Sequence, residues 1–203
     1  MGVDLGQSHD PTSIAVVRRH RVLEYYGHVK RPLTRVKSEA FQVGYLERLP
    51  LGTTYPAIVR HVARLLLRST WARNVELSID ATGVGRPVAD LFDAAGIEFK
   101  GVIITGGDVE NRDGHMHKVP KLQLVSQLQA LLHEGKLQIQ KDLVDAQALV
   151  QELQDFRVNH TETGRMQFGA REGKHDDLVL ALAIAVWDAT QKEHELHLEP
   201  LRI

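Results

Sequence analysis

A lone aspartate lies inside the first apolar segment of this 203-residue chain, Gly2-Val3-Asp4-Leu5-Gly6. A carboxylate in a half-buried strand is unfavourable unless something binds its charge. Two more acidic positions adjoin apolar segments: Asp80 ends the alternating segment 75–80, and the pair Asp176-Asp177 precedes the apolar run 178–187. The chain must fold so that these charges are compensated, and this requirement constrains the fold more than any other feature.

The composition limits which groups can balance the charges of these acids. The chain has no cysteine, so a metal site would use oxygen and imidazole ligands, and carboxylates suit magnesium or manganese. The formal net charge is −1, so a nucleic-acid surface would have to be a local basic face. The sequence has no run of about 18 or more apolar residues, so no membrane span is expected.

Hydrophobic periodicity predicts an initial group of strands and then strands that alternate with helices. Strands are expected over 2–7, 13–19, 22–30, 75–80, 97–105 and 137–139. Helices are expected over 55–72, 87–95, 119–134, 143–156 and 176–191. We interpret 31–53 as a long loop, 106–117 as an irregular, mobile segment, and 157–170 as a hairpin around Thr163-Gly164. This order predicts an α/β fold with a mixed β-sheet flanked by helices on both faces.

Acids on neighbouring strands of such a sheet can converge. Asp4 lies on the first strand and Asp80 at the end of a later one, and the helix after Asp177 is apolar nearly all round. Three or four carboxylates at one point repel each other unless cations lie between them. Two divalent ions about 3.5–4 Å apart can stabilise both the attacking and the leaving oxygen of a phosphodiester displacement. Taken singly, each acid could instead be a strand polar residue, a turn residue or a helix cap.

Four segments of the chain, in this order, resemble the nuclease domain of the large subunit of tailed-phage terminases, which package DNA. They are Gly2-Val3-Asp4-Leu5-Gly6, Ile79-Asp80-Ala81-Thr82-Gly83-Val84-Gly85, Lys118-Val119-Pro120-Lys121-Leu122 and His175-Asp176-Asp177-Leu178. The resemblance implies a ribonuclease H-like fold and magnesium- or manganese-dependent cleavage of double-stranded DNA with weak sequence preference. It also implies that Asp4, Asp80 and the Asp176-Asp177 pair are the catalytic, metal-binding acids, with Asp177 the favoured ligand of the pair.

The resemblance implies partners as well: double-stranded DNA, an ATPase domain of the same parent polypeptide, the portal and the small terminase, in the cytoplasm of an infected bacterial host. The chain has no G-x-x-x-x-G-K-[ST] phosphate-binding loop, so it is not the packaging motor itself. It would be either an excised domain or a stand-alone relative, and a strand that begins at the second residue favours excision. We expect the nuclease domain over 1–192 and a polar tail over 193–203.

Basic residues near the predicted loops are candidate DNA contacts, although basic loops are also often simply solvated. The candidates are Arg35, Lys37, Arg165, Arg171 and Lys174. The hairpin over 157–170 is a further candidate, because terminases have a comparable hairpin beside the active site. His175 adjoins the acids and could support or bind a metal ion.

Two other functions stay open at this stage. The segments around Asp4 and Asp80 also resemble the phosphate loops of actin-, chaperone- and sugar-kinase-type ATPases, which hold ATP between two lobes. A single lobe of that kind would leave the acids before the final helix without a role. A non-catalytic DNA-binding module would be marked by an incomplete acid set, whereas this set is complete.

Overall fold

The computed structural model describes residues 1–6, 10–26, 33–68, 75–83, 85–160, 166–170 and 175–191. Within these residues the strands are β1 (Gly2–Asp4), β2 (Ser13–Tyr26), β3 (Leu33–Arg48), β4 (Ser78–Asp80), β5 (Lys100–Thr105), β6 (Asn111–Asp113), β7 (Met116–Pro120), β8 (Leu137–Ile139), β9 (Phe156–His160) and β10 (Met166–Ala170). The helices are α1 (Tyr55–Arg68), α2 (Gly85–Ala94), α3 (Lys121–His133), α4 (Ala146–Asp155) and α5 (Asp177–Gln191).

Eight of these strands form one mixed sheet in the order β6-β7-β5-β4-β1-β2-β3-β8. Strands β1, β4, β5 and β7 are parallel neighbours, whereas β2 lies between β1 and β3 and runs antiparallel to both. Strands β9 and β10 form a separate two-stranded hairpin. Because β1 and β4 are parallel and adjacent, their carboxyl ends lie together at one edge of the sheet.

Helices cover both faces of the sheet. Helices α1 and α2 pack on one face against side chains that include Val3, Ile14 and Ile79. Helices α3, α4 and α5 pack on the other face against residues such as Phe41 and Val102. The predicted mixed sheet with helices on both faces is therefore confirmed. No helix in the described part of the chain has the length and apolarity to cross a membrane.

Helix α5 lies directly on β1. Its residues from Leu178 to Trp187 are buried, which agrees with their apolar character all round the helix. An added Cβ at Gly2 would lie 2.2 Å from the Ala181 carbonyl oxygen and 2.6 Å from the Ala185 amide nitrogen. Asp4, two residues beyond Gly2 on the strand, therefore faces the same helix, since alternate strand residues share a face.

The loop predicted over 31–53 is wrong for residues 33–48, whereas 49–53 lie outside helices and strands as expected. Residues 33–48 form β3, which pairs with β2 along its length. The strands predicted over 13–19 and 22–30 belong to one strand over Ser13–Tyr26, and residues 27–30 lie outside the described part of the chain. Arg19 and Arg21 each donate from Nε to Glu39, at 2.5 and 2.8 Å. Ion pairs between the strands stabilise this ribbon, and hydrophobic periodicity does not register them.

The irregular segment predicted over 106–117 is found only over 106–110, and the prediction is wrong from residue 111 onwards. Strands β6 and β7 form a hairpin around Gly114, whose φ is 60°, and β7 extends the sheet by pairing with β5. The hairpin predicted over 157–170 is confirmed by the pairing of β9 with β10. Its predicted turn, Thr163-Gly164, lies outside the described residues, as does the tail over 193–203.

Replacing Gly2 tests the close contact between β1 and α5. Gly2→Ala should lower the free energy of unfolding by about 1–3 kcal/mol, because the new methyl group must displace helix backbone. Gly44→Ala in β3 is the matched control, since an added Cβ there has nothing within 4 Å. Urea unfolding of both variants measures the difference, and equal stabilities would contradict this packing.

Candidate metal centre

The carboxyl edge of β1 and β4 carries a row of polar side chains. Asp4 and Asp80 occupy equivalent positions at the ends of these parallel strands. In the antiparallel direction, Asp4 lies opposite Ser13 of β2, and Ser13 lies opposite Arg48 of β3. Four neighbouring strands thus contribute one polar residue each to the same edge and the same face, beneath the start of α5.

Helix α5 adds two acids to this row. Asp177 is its first residue and is 3% exposed. Its Oδ2 accepts hydrogen bonds from the Ser13 hydroxyl at 3.2 Å and from Arg48 Nε at 2.8 Å. Asp176 is half-buried, and its Oδ2 lies 3.4 Å from Nζ of Lys121, the first residue of α3.

The charges of the four acids act on one another. Burial raises the pKa of Asp4 well above its usual range, and the charges of Asp80, Asp177 and Asp176 raise it further. Burial also raises the pKa of Asp80, although hydrogen bonds from Thr82 and the charge of Lys121 oppose that rise. The Thr82 amide donates to Asp80 Oδ1 at 2.7 Å. All four predicted acids therefore lie close enough to interact.

A further ligand group adjoins the row, and sequence reasoning missed part of it. Ligand atoms of Asp10, His175 and Asp177 all lie within 4.8 Å of one another. His175 Nδ1 lies 3.6 Å from Asp10 Oδ1 and 3.5 Å from Asp177 Oδ1. Gly6 allows the chain to fold back here, because an added Cβ would lie 2.0 Å from the Asp10 carbonyl oxygen. The only sequence signal for Asp10 was its place before Pro11, which marks a turn.

Sequence reasoning also missed Arg48 and Glu152. The Arg48 guanidinium forms ion pairs with both Glu152 and Asp177. These partners lie 104 and 129 positions away along the chain, so no local pattern could connect them. In addition, Arg48 falls in the segment that was predicted as a loop.

Of the predicted DNA contacts, the two that fall in the described residues lie away from this edge, towards the other end of β3. Lys37 is exposed on β3, and Arg35 pairs through its backbone with Glu24 in the same ribbon. Lys37 lies eleven positions before Arg48 on β3, which corresponds to about 36 Å along the strand. Arg165, Arg171 and Lys174 lie outside the described residues. The roles of all these residues stay predictions.

The donor set at this edge fits divalent metal ions. Carboxylate oxygens and one imidazole are the ligand types that magnesium and manganese accept. Among the described residues, Asp4, Asp80, Asp176 and Asp177 bring together four carboxylates, and the lysine and arginine side chains that pair with them are Arg48 and Lys121. A cluster of this kind is stable in its charged form when cations bind between the acids.

Comparison with known proteins points to one group. No family model matches the chain. The chain is 30% identical over 124 residues to the terminase large subunits of Thermus phage G20c and Thermus virus P23-45. These 124 residues make up 61% of this chain and 22% of each relative. The chain thus spans about a fifth of the length of these curated relatives.

Solved structures extend the similarity to most of the chain. The large terminase nuclease from thermophilic phage G20c superposes with a TM-score of 0.62 at 22% identity, covering 91% of this chain and 78% of the nuclease. The chain has the fold of a terminase nuclease domain. The structure of the same nuclease with bound magnesium superposes with a TM-score of 0.60 at 24% identity, covering 92% of this chain and 78% of the nuclease. The resemblance to terminase nuclease domains that the four segments indicated is confirmed.

The raised pKa of Asp4 predicts how the stability of the metal-free terminase-like fold depends on pH. In an unfolded chain, the pKa of an aspartate is about 3.9. Between that value and the higher pKa in the folded protein, the folded state binds more protons, so its free energy of unfolding falls as pH rises. Asp4→Asn removes this loss. In chelator at pH 7, the variant should therefore melt at the same temperature as the wild type or higher, and the difference should shrink towards pH 3.

Thermal melts from pH 3 to pH 8 in chelator measure this effect. Asp177→Asn is the contrasting variant and should melt lower, because Arg48 loses a charged partner. An Asp4→Asn variant that melts several degrees lower at pH 7 would show that Asp4 has a structural role instead.

Proposed function

We propose that this chain is a metal-dependent endonuclease domain that hydrolyses double-stranded DNA, with Asp4, Asp80 and Asp177 as metal ligands and Asp176 beside them. The observation that carries the proposal is the convergence of these acids beneath the start of α5, where three of them raise the pKa of the fourth. Magnesium or manganese is the proposed cofactor, as the donor set favours hard cations.

The proposed chemistry assigns separate tasks to the two sides of the cluster. Two divalent ions, when bound, would activate a water molecule for in-line attack and stabilise the leaving oxygen. Asp177, which is buried, and its half-buried partner Arg48 form the inner side. DNA would approach the outer side, where Asp10 and His175 are exposed. Lys121, which begins α3 and pairs with Asp176, would bind a backbone phosphate by charge, without reading sequence.

The relatives support this proposal and suggest a wider setting. They are terminase large subunits, and the G20c nuclease of the same fold binds magnesium in one structure. We propose that the chain corresponds to the nuclease part of such a subunit and cuts viral concatemers during genome packaging. An ATPase domain of the parent polypeptide, the portal, the small terminase and a location in the bacterial cytoplasm follow from that proposal.

The two rival functions have less support. A single actin-like lobe would use the segments around Asp4 and Asp80 for phosphate, but it gives no role to Asp177, which is buried against them. A non-catalytic DNA-binding module gives no reason for gathering four carboxylates, which repel DNA phosphates unless cations intervene.

Cleavage should require a divalent metal and should not require ATP. Supercoiled plasmid should be nicked in manganese or magnesium, with or without ATP, and should stay intact in chelator. Asp4→Asn and Asp80→Asn should reduce nicking to the level of the chelator control, since each removes a charged ligand. Asp93→Asn, an exposed acid on α2, is the control that should retain activity. Undiminished cutting in chelator would rule out the proposed function.

DNA binding by the domain should be weak, insensitive to sequence and strongly weakened by salt. Its affinity should fall with salt by a slope of about −0.9 per neutralised phosphate. Lys121→Gln should reduce the magnitude of that slope by about one. Lys37→Gln should reduce the slope only on duplexes of about ten base pairs or more. The reason is that Lys37 lies about 36 Å along β3 from Arg48, the partner of Asp177.

Fluorescence anisotropy over a salt series, on duplexes of two lengths and two unrelated sequences, measures these slopes. Calcium can replace magnesium in the binding buffer to suppress cutting. Tight, salt-insensitive binding to one sequence, or an unchanged slope for Lys121→Gln, would contradict this mode of contact.

A further inference from the structure

Glu152 of α4 is a buried acid outside the predicted cluster. Its Oε2 accepts hydrogen bonds from the backbone amides of Leu178 at 3.0 Å and Val179 at 3.2 Å. These amides belong to the first turn of α5, where helix N–H groups have no partner within the helix. A side chain from a neighbouring helix therefore caps α5 and fixes the direction in which it leaves the site.

Arg48 connects this cap to the acid cluster. Its Nη2 pairs with Glu152 Oε1, and its Nε donates to Asp177 Oδ2 at 2.8 Å. Its backbone amide donates to Asp145 Oδ2, also at 2.8 Å, which ties the end of β3 to the start of α4. Because a guanidinium is planar and its donors are fixed relative to each other, it holds the two carboxylates in one arrangement.

The two oxygens of Asp177 consequently differ. Oδ2 already accepts hydrogen bonds from Arg48 and from the Ser13 hydroxyl. Oδ1 lies on the other side, 3.5 Å from His175 Nδ1 and within the group of ligand atoms that includes Asp10. Oδ1 is therefore the oxygen that can face a cation.

We propose that Arg48 and Glu152 are positioning residues that hold Asp177 as a metal ligand through Oδ1 alone. This inference rests on the proposed function, since it concerns the metal site of the nuclease. Glu152 fixes the first turn of α5, and Arg48 fixes the Asp177 carboxylate relative to that turn. Neither residue is expected to contact metal or DNA.

A merely structural ion pair would also affect stability, so the test must measure metal binding. Arg48→Lys keeps the positive charge, but a single ammonium nitrogen cannot hold two carboxylates in the fixed geometry of a planar guanidinium. Arg19→Lys is the matched control, because Arg19 also pairs with a glutamate and donates to α5, through the Ala189 carbonyl oxygen at 2.7 Å. It lies six strand residues from Ser13, about 20 Å along β2.

Calorimetric titration with Mn²⁺, together with thermal melts in chelator, separates the two roles. Arg48→Lys should weaken Mn²⁺ binding by about 10–100-fold, as is common when a ligand loses its supporting partner. It should also need more manganese for half-maximal nicking while approaching the wild-type rate at saturation. Arg19→Lys should melt lower and bind Mn²⁺ as the wild type does.

Each outcome leads to a decision. If Arg48→Lys folds, melts lower and keeps the wild-type Mn²⁺ affinity, Arg48 is structural only and the inference is wrong. If Arg48→Lys does not fold, Glu152→Gln replaces it, because glutamine keeps one acceptor for the helix amides but loses the charge that Arg48 binds. Wild-type protein that binds no Mn²⁺ and cuts no DNA would overturn the proposed function and this inference with it. Normal binding and cutting by both wild type and variants would overturn the inference alone.

A crystal soaked in manganese gives a direct and independent readout. Asp177 should contact the ion through one oxygen while its other oxygen stays on Arg48. Contact of both Asp177 oxygens with the ion, or an Arg48 side chain turned away from Asp177, would overturn the inference.

Discussion

Repulsion between carboxylates held at one place is the constraint on which the rest of the structure depends. Asp80, Asp176 and Asp177 all raise the pKa of Asp4, so the metal-free protein gathers these charges at an electrostatic cost. The fold imposes this arrangement through rigid elements. Two of the acids end parallel strands that are hydrogen-bonded neighbours, and the other two come with a helix whose body fills the core. The acids cannot move apart without breaking the sheet or withdrawing α5.

The acids themselves were predictable from the sequence, but the groups that hold them were not. Asp4 and Asp80 interrupt or end apolar segments, and Asp177 begins one, so simple burial arguments mark them as unusual. Arg48 and Glu152 carry no such mark, because an arginine at a strand end and a glutamate in a helix are common surface residues. Their role can be recognised only from the contacts they make in the folded protein. Arg48 pairs with Glu152 and Asp177, which are both more than a hundred positions away along the chain.

The error in the fold prediction has the same origin. The alternating and continuous apolar segments were assigned correctly as strands and helices, with ends that differ by a few residues. Hydrophobic periodicity predicts a loop where β3 lies, because the outer half of this strand is stabilised by pairing with β2, with Glu39 binding Arg19 and Arg21, and not by an apolar face. That misassignment also hid Arg48, which could be recognised as a site residue only once it was seen to end a strand beside Ser13.

The position of Asp177 couples stability to metal binding in this fold. It is at once the first residue of the core helix, the partner of Arg48 and a proposed ligand. A ligand that binds only the folded state stabilises it by about 2.7 kcal/mol at a concentration 100 times its Kd. Here that stabilisation would act at the first turn of α5, whose amides Glu152 also binds. The repulsion among the acids is then a disadvantage only in the metal-free protein, so the domain should be most stable in the metal-bound state in which it is proposed to cut DNA.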